Sequence, residues 1–451
     1  LLSIGPSLPL AASPEGPAED PAEAVSPCGD CRGGEALSLS LEEAITMSRA
    51  ASPRLGALRA LSDGAEAGLR GARAERLPML DVMAGYTRYS HVPELSLSLP
   101  LPAGSQTIYP DIPDNYAARL GLALPLYTGG RVSGLITAAD RERQAAGSDL
   151  AAGSQDLVLE TSAAYWNLVT ALESEKVLRE TLGSYDAHLS DARQRERFGM
   201  AAKNEVLAVQ VERDRAELAL LRAAHAVEVL RADLARILGL AAGIRVAPSE
   251  PLERLDPRME DLAGLVREAR SSRPERAALQ ARIEAAEARS RVAKAGRLPE
   301  AHFSAGYDHA NPNRRIFPFS DEWQETWDAS VGLSFRLFDG GRTAAEVARR
   351  SAQAEAARQE LEDLERRIEF EVTRRHLDLQ TATLAVDVAE KGLESARENR
   401  RVASDRYRAG LIPSSELLDS EIAMARAGLD RTEALSHQRL ALAALHRALG
   451  R

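Results

Sequence analysis

The sequence predicts a mostly helical α+β fold, built from two tandem copies of one unit that contains a helix, two strands and a long helical hairpin. Three observations carry this prediction: blocks of sequence recur at a fixed spacing, long proline-free segments follow them, and strand-like alternation lies between the helical segments. Only 4% of the residues are aromatic, and Ala and Leu supply much of the 44% hydrophobic share. This composition favours long helices over an aromatic globular core.

The internal repeat is visible in two pairs of matched blocks. The tripeptide RLP at 76–78 recurs 221 positions later at 297–299, and AGY follows it in both copies. The block GLALPLYTGGR at 121–131 corresponds to GLSFRLFDGGR at 332–342, which is 211 positions later. The ten-residue difference falls in the loop between the two blocks, where length variation is best tolerated. The sequence therefore predicts a duplication with a variable loop in each copy.

The duplication divides the chain into a leader, two repeats and a connector. The leader covers 1–37, the repeats occupy 38–239 and 259–451, and a Pro-rich connector fills 240–258. Within the repeats we expect strands at about 78–127 and 299–338 and helical hairpins at 129–239 and 340–450.

The leader is expected to be disordered, and its start is consistent with the end of a signal peptide. It contains Cys28 and Cys31, the two cysteines of the chain. A disulfide, idle thiols and a lipid anchor on Cys28 all stay open for this pair. A zinc site would need a second cysteine pair, which the sequence lacks.

The proline-free segments at 130–197 and 341–408 predict two very long helices. Ala, Leu, Glu, Gln and Arg dominate both segments, and apolar residues recur every three to four positions. At about 1.5 Å per residue, each helix is about 100 Å long. Gly199 and Gly410 end these helices, and a second helical segment follows each glycine, so each repeat contains a helical hairpin.

The strand that leads into each long helix has one apolar face and one small or polar face, because side chains alternate between the faces of a strand. The apolar face is predicted to contact lipid and consists of Leu120, Leu122, Leu124, Leu126, Val331, Leu333, Phe335 and Leu337. The alternation alone also fits a soluble sheet that packs on a core. The aromatic residues favour the membrane, because 13 of the 19 Phe, Trp and Tyr residues fall in 76–127 and 297–338. Membrane barrels carry such aromatic girdles.

The number of strands has a consequence for assembly. Each chain offers four strands of this kind, whereas a transmembrane barrel needs at least about eight to close without exposed edges. If the strands enter a membrane, several chains must contribute, so homo-oligomerisation follows. A helical membrane protein is not expected, because no apolar stretch reaches the roughly 18 residues that a spanning helix needs.

The order of the elements, the duplicated layout, the RLP–AGY blocks and the YTGGR and FDGGR blocks resemble the TolC-like outer-membrane efflux proteins over about 38–450. The resemblance implies a homotrimer in the outer membrane of a Gram-negative bacterium, with one 12-stranded β-barrel continued by a periplasmic α-helical barrel. It also implies a passive exit duct of a tripartite efflux or type I secretion system, in contact with outer-membrane lipid. Its partners would be a periplasmic adaptor protein and an inner-membrane pump. The alternative is a soluble coiled-coil scaffold without channel activity.

The resemblance implies that the two hairpin tips dock the adaptor. The matching steps from glycine to a hydrophobic residue are Gly199-Met200 and Gly410-Leu411. Glycines of this kind also end many helices that have no docking role. The tips are therefore predicted docking points, with simple helix termination as the alternative.

The resemblance also implies an acidic constriction near the second tip. It falls on Glu416 and Asp419, with Glu205 as the counterpart of Glu416 in the first repeat, and Tyr407 matches a gating tyrosine. In an oligomer each acid becomes a ring of carboxylates that attracts cations. Ile412 stands where the family pattern has a locking arginine, so the lock is expected to differ. A solvated helix face is the alternative for any one of these acids.

Enzymatic chemistry is not indicated by the sequence. HExxH, GxSxG and a phosphate-binding GKS or GKT are absent, and the eight histidines are scattered. We therefore expect no catalytic residues, no cofactor and no metal. The net charge of -10 makes nucleic acid an unsuitable partner.

Overall fold

The structure is a computed structural model that describes residues 37–98, 105–241, 243–258 and 260–451. The helices are α1 (Leu41–Ala51), α2 (Pro53–Ala74), α3 (Arg131–Arg197), α4 (Lys203–Ile237), α5 (Leu262–Ser272), α6 (Pro274–Ala295), α7 (Arg342–Arg408) and α8 (Ser414–Leu449). The strands are β1 (Leu37–Leu39), β2 (Met79–Arg88), β3 (Leu95–Ser98), β4 (Ser105–Tyr109), β5 (Asp114–Tyr127), β6 (Val246–Pro248), β7 (Glu300–Asn311) and β8 (Gln324–Ser334). The predicted leader, with both cysteines, lies outside the described residues except for Leu37.

The two long helices are present where the proline-free segments predict them. α3 and α7 each contain 67 residues and are therefore about 100 Å long. Each begins after a glycine in the left-handed conformation and carries two arginines in its last turn, where positive charge is favoured by the helix dipole. No helix in the described part of the chain is both long enough and apolar enough to cross a membrane.

The shorter helices fill two levels beside α3 and α7. Near the sheet, α2 packs on α3, and α6 lies between α3 and α7. Toward the hairpin tips, α4 packs on α3, and α8 lies between α3 and α7. At the tip end the neighbours therefore follow the order α4, α3, α8, α7, and α4 and α7 are the two edges of the array.

The largest apolar core lies midway along α3, where a small sheet packs on the helix. β1 pairs in parallel with β6, which belongs to the connector between the repeats. The fully buried Tyr165 links β1 to the chain just after β6: its hydroxyl donates to the Leu39 carbonyl oxygen at 3.1 Å and accepts from the Glu250 amide at 3.1 Å. The connector is thus a structured part of the first repeat's core. The sequence repeat does not reveal this, because the two strands are 209 positions apart.

The main sheet has four antiparallel strands in the order β2-β5-β7-β8. Its central pair joins the two repeats, because β5 belongs to the first and β7 to the second. β2 and β8 are the edges, and both are long, with 10 and 11 residues. The repeats therefore share one sheet, and that sheet is open on both sides.

Three details of the predicted strands are wrong. The loop of the first repeat contains a further hairpin of β3 and β4. β8 ends at Ser334, so Phe335 and Leu337 lie beyond the strand. A bulge between Pro125 and Tyr127 shifts the register, so Tyr127 and not Leu126 lies opposite Ala301. A bulge inserts one residue and thereby reverses the alternation of faces after it.

Candidate functional site

The two hairpin tips have the same backbone. Gly199 and Gly410 both have φ of 72°, in the left-handed region that only glycine adopts without strain. In each tip the glycine amide and the next amide donate to carbonyl oxygens of the last helical turn, for example Leu411 to Arg406 at 2.9 Å. This double hydrogen bond is the Schellman cap. This cap ends the long helix at the same position in both repeats.

The tips present exposed apolar side chains to solvent. Met200 is 70% exposed and Leu411 is 69% exposed, and Phe198 beside them is also exposed. Large apolar side chains at such exposure contribute nothing to the core of one chain. Exposed apolar side chains of this kind are suited to contact with a partner.

The second tip is held by a small apolar cluster. Tyr407 is buried and packs with Ala403, Ile412 and Leu417. The Arg195 guanidinium of α3 lies 4.2 Å from the centre of the Tyr407 ring. Burial raises the pKa of the Tyr407 hydroxyl. Ile412, at the position of the family's locking arginine, thus contributes packing and no charge.

A buried polar link connects this tip to the first hairpin. His188 of α3 approaches Glu421 of α8 through Nδ1 at 2.9 Å and Ser414 Oγ through Nε2 at 2.9 Å. The side chains of His188 and Glu421 are only 1% and 9% exposed. Burial raises the pKa of neighbouring Tyr185 to about 12, with the Glu421 carboxylate as a further cause. Both ring nitrogens of His188 are therefore satisfied across the boundary between the two hairpins.

The sequence does not reveal this link. His188 and Glu421 are 233 positions apart, and no motif spacing relates them. The one available signal is that His188 lies on the buried stripe of α3, with Tyr185, Leu189 and Ala192. A histidine on such a stripe predicts a polar partner but does not identify it.

The predicted constriction residues belong to three helices: Glu416 and Asp419 lie on α8, Glu205 on α4 and Tyr407 on α7. Glu416 and Asp419 are exposed, whereas Leu417 and Glu421 are buried against the rest of the chain. Glu205 is half-buried. Within the described residues, none of the three predicted acids has a cationic partner within 4.0 Å. The structure does not bring Tyr407 into the exposed acidic face, because its ring belongs to the buried cluster.

The sheet has two chemically different faces. The register places Leu80, Leu122, Phe303 and Val331 on one apolar face, together with most of the predicted lipid-facing residues. The opposite face is small or polar: Ser304 Oγ and Ser330 Oγ are 2.8 Å apart there. The described part of the chain contains no cluster of three or more His, Cys, Asp or Glu residues suited to a metal.

Comparisons with known proteins agree with this architecture. The family model described as outer membrane efflux protein matches residues 44–240 and 265–451. Protein CyaE of Bordetella pertussis is 30% identical over 392 residues, which cover 85% of this chain and 78% of CyaE. Outer membrane protein OprJ of Pseudomonas aeruginosa is 27% identical over 400 residues, which cover 86% of this chain and 79% of OprJ.

The fold is also found among solved structures. The outer membrane protein VceC from Vibrio cholerae matches with a TM-score of 0.77 at 21% identity, covering 91% of this chain and 96% of VceC. At this identity the likeness concerns the fold. The shared fold includes the long helices and the strands, because the match extends over nearly the whole of both chains.

Proposed function

Because this chain belongs to the outer membrane efflux protein family, we propose that three copies of it form one twelve-stranded barrel and one helical tunnel. The protein is an outer-membrane efflux channel that extends into the periplasm. Its membership of this family favours a channel over the alternative of a soluble coiled-coil scaffold. Each copy would contribute the repeats at 38–239 and 259–451. The duct would be passive and would carry small molecules or exported substrates.

The open sheet supports closure by several copies. β2 and β8 each leave one side of the strand without a partner among the described strands. Long unpaired edges are unfavourable in water and more so in lipid. Pairing β8 of one copy with β2 of the next removes every edge, and three copies then supply twelve strands.

The edge helices carry the observation that most strongly supports this ring. In a single chain, α4 and α7 both expose apolar side chains to solvent. Within each helix these side chains are three, four or seven residues apart, or a sum of these spacings. These are Leu207, Val211, Leu218, Leu221 and Val229 on α4, and Phe370, Leu377, Leu384, Val388 and Val402 on α7. Such spacings place the side chains on one helix face, as in the seam of a coiled coil. The proposal is that α4 of one copy packs on α7 of the next.

The heights of these residues agree with that packing. Leu207 lies eight residues after the tip glycine of its hairpin, and Val402 lies eight residues before the tip glycine of the other. Leu221 and Val388 each lie 22 residues from their tips. Since α4 runs away from the tips and α7 runs toward them, the two pairs meet at equal heights in an antiparallel contact.

The faces of the sheet support insertion in the outer membrane. In a closed barrel the apolar face would contact lipid through Leu120, Leu122, Leu124, Val331 and Leu333, with Leu126, Phe335 and Leu337 at the helix-side end. Exposed aromatic residues, including Trp327 and Tyr86, lie on the same face. The small and polar face would line the lumen, as in other transmembrane barrels.

The tips support a role in docking and in gating at the periplasmic end. The exposed Met200 and Leu411, presented by Gly199 and Gly410, would contact a periplasmic adaptor that joins the duct to an inner-membrane pump. On the lumen side, Glu416 and Asp419 would form rings of carboxylates at the narrow end, with Glu205 nearby. Tyr407 would support this gate from the buried cluster behind it.

The number of copies and the conductance test the proposal. Detergent-solubilised protein should contain three chains per assembly and should conduct ions in planar bilayers. A monomer that stays in the aqueous fraction and does not conduct would contradict it.

The constriction has its own test. Glu416→Ala with Asp419→Ala should weaken block by polyvalent cations, because the carboxylate rings are lost. Asp430→Ala is the matched control, since it removes an exposed acid of α8 that lies about 16 Å farther from the tip. Equal block in the double variant and the control would show that the acids are only a solvated helix face.

A further inference from the structure

The polar face of the sheet carries a compact group of four charges. The Arg119 guanidinium of β5 lies 2.6 Å from Asp308 and 3.0 Å from Asp328, on β7 and β8. The Arg315 guanidinium lies 2.8 Å from Asp328 and 3.6 Å from Asp308. Two arginines thus share two aspartates, and the group is neutral within one chain.

Arg119 has room to lie across the sheet because the neighbouring strand has no side chain there. A Cβ added to Gly306 would overlap the Arg119 guanidinium. On the four strands of the sheet, Arg119 is the one Arg or Lys that the register assigns to this face. The position of the guanidinium is therefore built by the fold and is not a general feature of a charged surface.

Arg315 belongs to the loop between β7 and β8, at 312–323, and not to a strand. Asn313 fixes the start of this loop: it is only 3% exposed, and its side-chain amide donates to Gln324 O and Thr326 Oγ1, both at 3.1 Å. The Asn313 side chain also accepts from the Arg315 amide at 3.0 Å. The loop is therefore held over the polar face at two points, Asn313 and Arg315.

The charged group lies in the part of the sheet that is farther from the helices. β7 starts beside the end of α6, and Asp308 is near its other end. The four side chains keep between 21% and 46% of their surface exposed, so water and solutes reach them. In the proposed barrel, this position is the lumen toward the cell exterior.

We infer that the loop at 312–323 is tethered into the lumen and that Arg119, Asp308, Arg315 and Asp328 form an outer charge filter. The inference rests on the proposed barrel. Three copies would place six guanidiniums and six carboxylates around the lumen. Because two positive and two negative charges balance within each chain, the intact group favours neither cations nor anions by sign, and removing one partner should make it selective. It is separate from the acidic rings at the tips, which lie at the opposite end of the duct.

The test is the ion selectivity of reconstituted channels in a KCl gradient. Arg315→Gln leaves two aspartates with one arginine and frees the loop, so the permeability ratio of K⁺ to Cl⁻ should rise about twofold or more. Arg119→Gln should shift it in the same direction. Asp308→Asn with Asp328→Asn should shift it toward Cl⁻. Arg315→Lys keeps the charge and should stay close to the parent protein.

Arg88→Gln is the matched control. Arg88 is also paired with an aspartate at the same end of the sheet, Asp114 at 3.1 Å, but the register places it on the apolar face. Equal selectivity of Arg315→Gln, the Asp308/Asp328 double variant and the control would overturn the filter. If Arg315→Gln does not assemble, the selectivity of the Asp308/Asp328 double variant alone tests the filter. A parent protein that forms no channel at all would instead contradict the proposed barrel.

Discussion

The two hairpin tips are duplicates in backbone and different in how they are held. Both end in a glycine with φ of 72° and a Schellman cap. The first tip is closed by an apolar cluster of Leu189, Ala192, Val206 and Val209. The second adds Tyr407 and Ile412 to its cluster and is tied to α3 by His188, Glu421 and Ser414. The two tips therefore share one backbone frame, and the second has a polar tie that the first lacks.

The residues of the buried polar link have different counterparts in the other repeat. At the 211 offset, the counterparts of Ser414 and Glu421 are Lys203 and Gln210, and the counterpart of His188 is Asn399. Asn399 is exposed in one chain, so it forms no equivalent buried link within the chain. The second hairpin must thus break a buried polar link before it separates from α3, whereas the first tip has only its own apolar cluster to lose.

The largest effect is expected from breaking the polar link. His188→Ala leaves the buried Glu421 carboxyl without a partner and should lower the opening free energy of the second tip by about 3–5 kcal/mol. Hydrogen exchange of 411–421 would then be at least about 100-fold faster. Asn399→Ala, its repeat counterpart, should leave exchange unchanged. Equal exchange in the two variants would show that the link does not hold the tip.

The next effect concerns Ile412. Ile412→Ala opens a cavity in the cluster around Tyr407 and should destabilise the second tip by about 2–3 kcal/mol. Its counterpart Ala201 is already small, so Ala201→Gly serves as the matched change in the first tip and should cost about 1 kcal/mol or less. Hydrogen exchange of both tips measures the difference. If Ala201→Gly destabilised the first tip more than Ile412→Ala destabilises the second, the proposed role of Ile412 would be wrong.

The shared frame predicts equal effects of glycine substitution. Gly199→Ala and Gly410→Ala each force a Cβ into the left-handed region, which costs roughly 1–2 kcal/mol. No neighbouring atom would meet either Cβ within 4 Å, so the backbone conformation alone sets the cost. Local exchange should rise by a similar factor in both tips. Unequal factors would mean that the two caps are not equivalent.

The smallest effect is expected from the Tyr407 hydroxyl. This buried oxygen has no hydrogen-bond partner among the described residues, so Tyr407→Phe should change tip stability by less than about 1 kcal/mol or increase it. Thermal unfolding followed by helical circular dichroism measures the change. A clear loss of stability would show that the hydroxyl has a partner in the assembly.

The regular parts of this fold were predictable from the sequence. Two proline-free segments and two matched GGR blocks predict α3 and α7, because long helices need sustained periodicity and few breakers. The strands β5 and β8 follow from alternation. The bulge before Tyr127 breaks this alternation, so a pattern of period two places Leu126 where the structure has Tyr127.

The long-range contacts were not predictable from the sequence. The pairing of β1 with β6 and the link from His188 to Glu421 each join residues more than 200 positions apart. Only the packing of α3 against the connector and against α8 brings them together. The outer group with Arg315 was missed for a similar reason, since a loop residue has no periodicity that would place it on one face of a sheet.

Cross-linking of α4 in one copy to α7 in the next would show the proposed ring directly. In a background of Cys28→Ser and Cys31→Ser, Leu207→Cys with Val402→Cys should form disulfides on oxidation, because the two positions lie at equal heights on facing edges. A covalent trimer is expected, since α4 and α7 are at opposite edges of one chain. Leu207→Cys with Phe370→Cys is the control, at heights that differ by about 48 Å. Monomers in both samples, or equal cross-linking in both, would contradict the proposed ring.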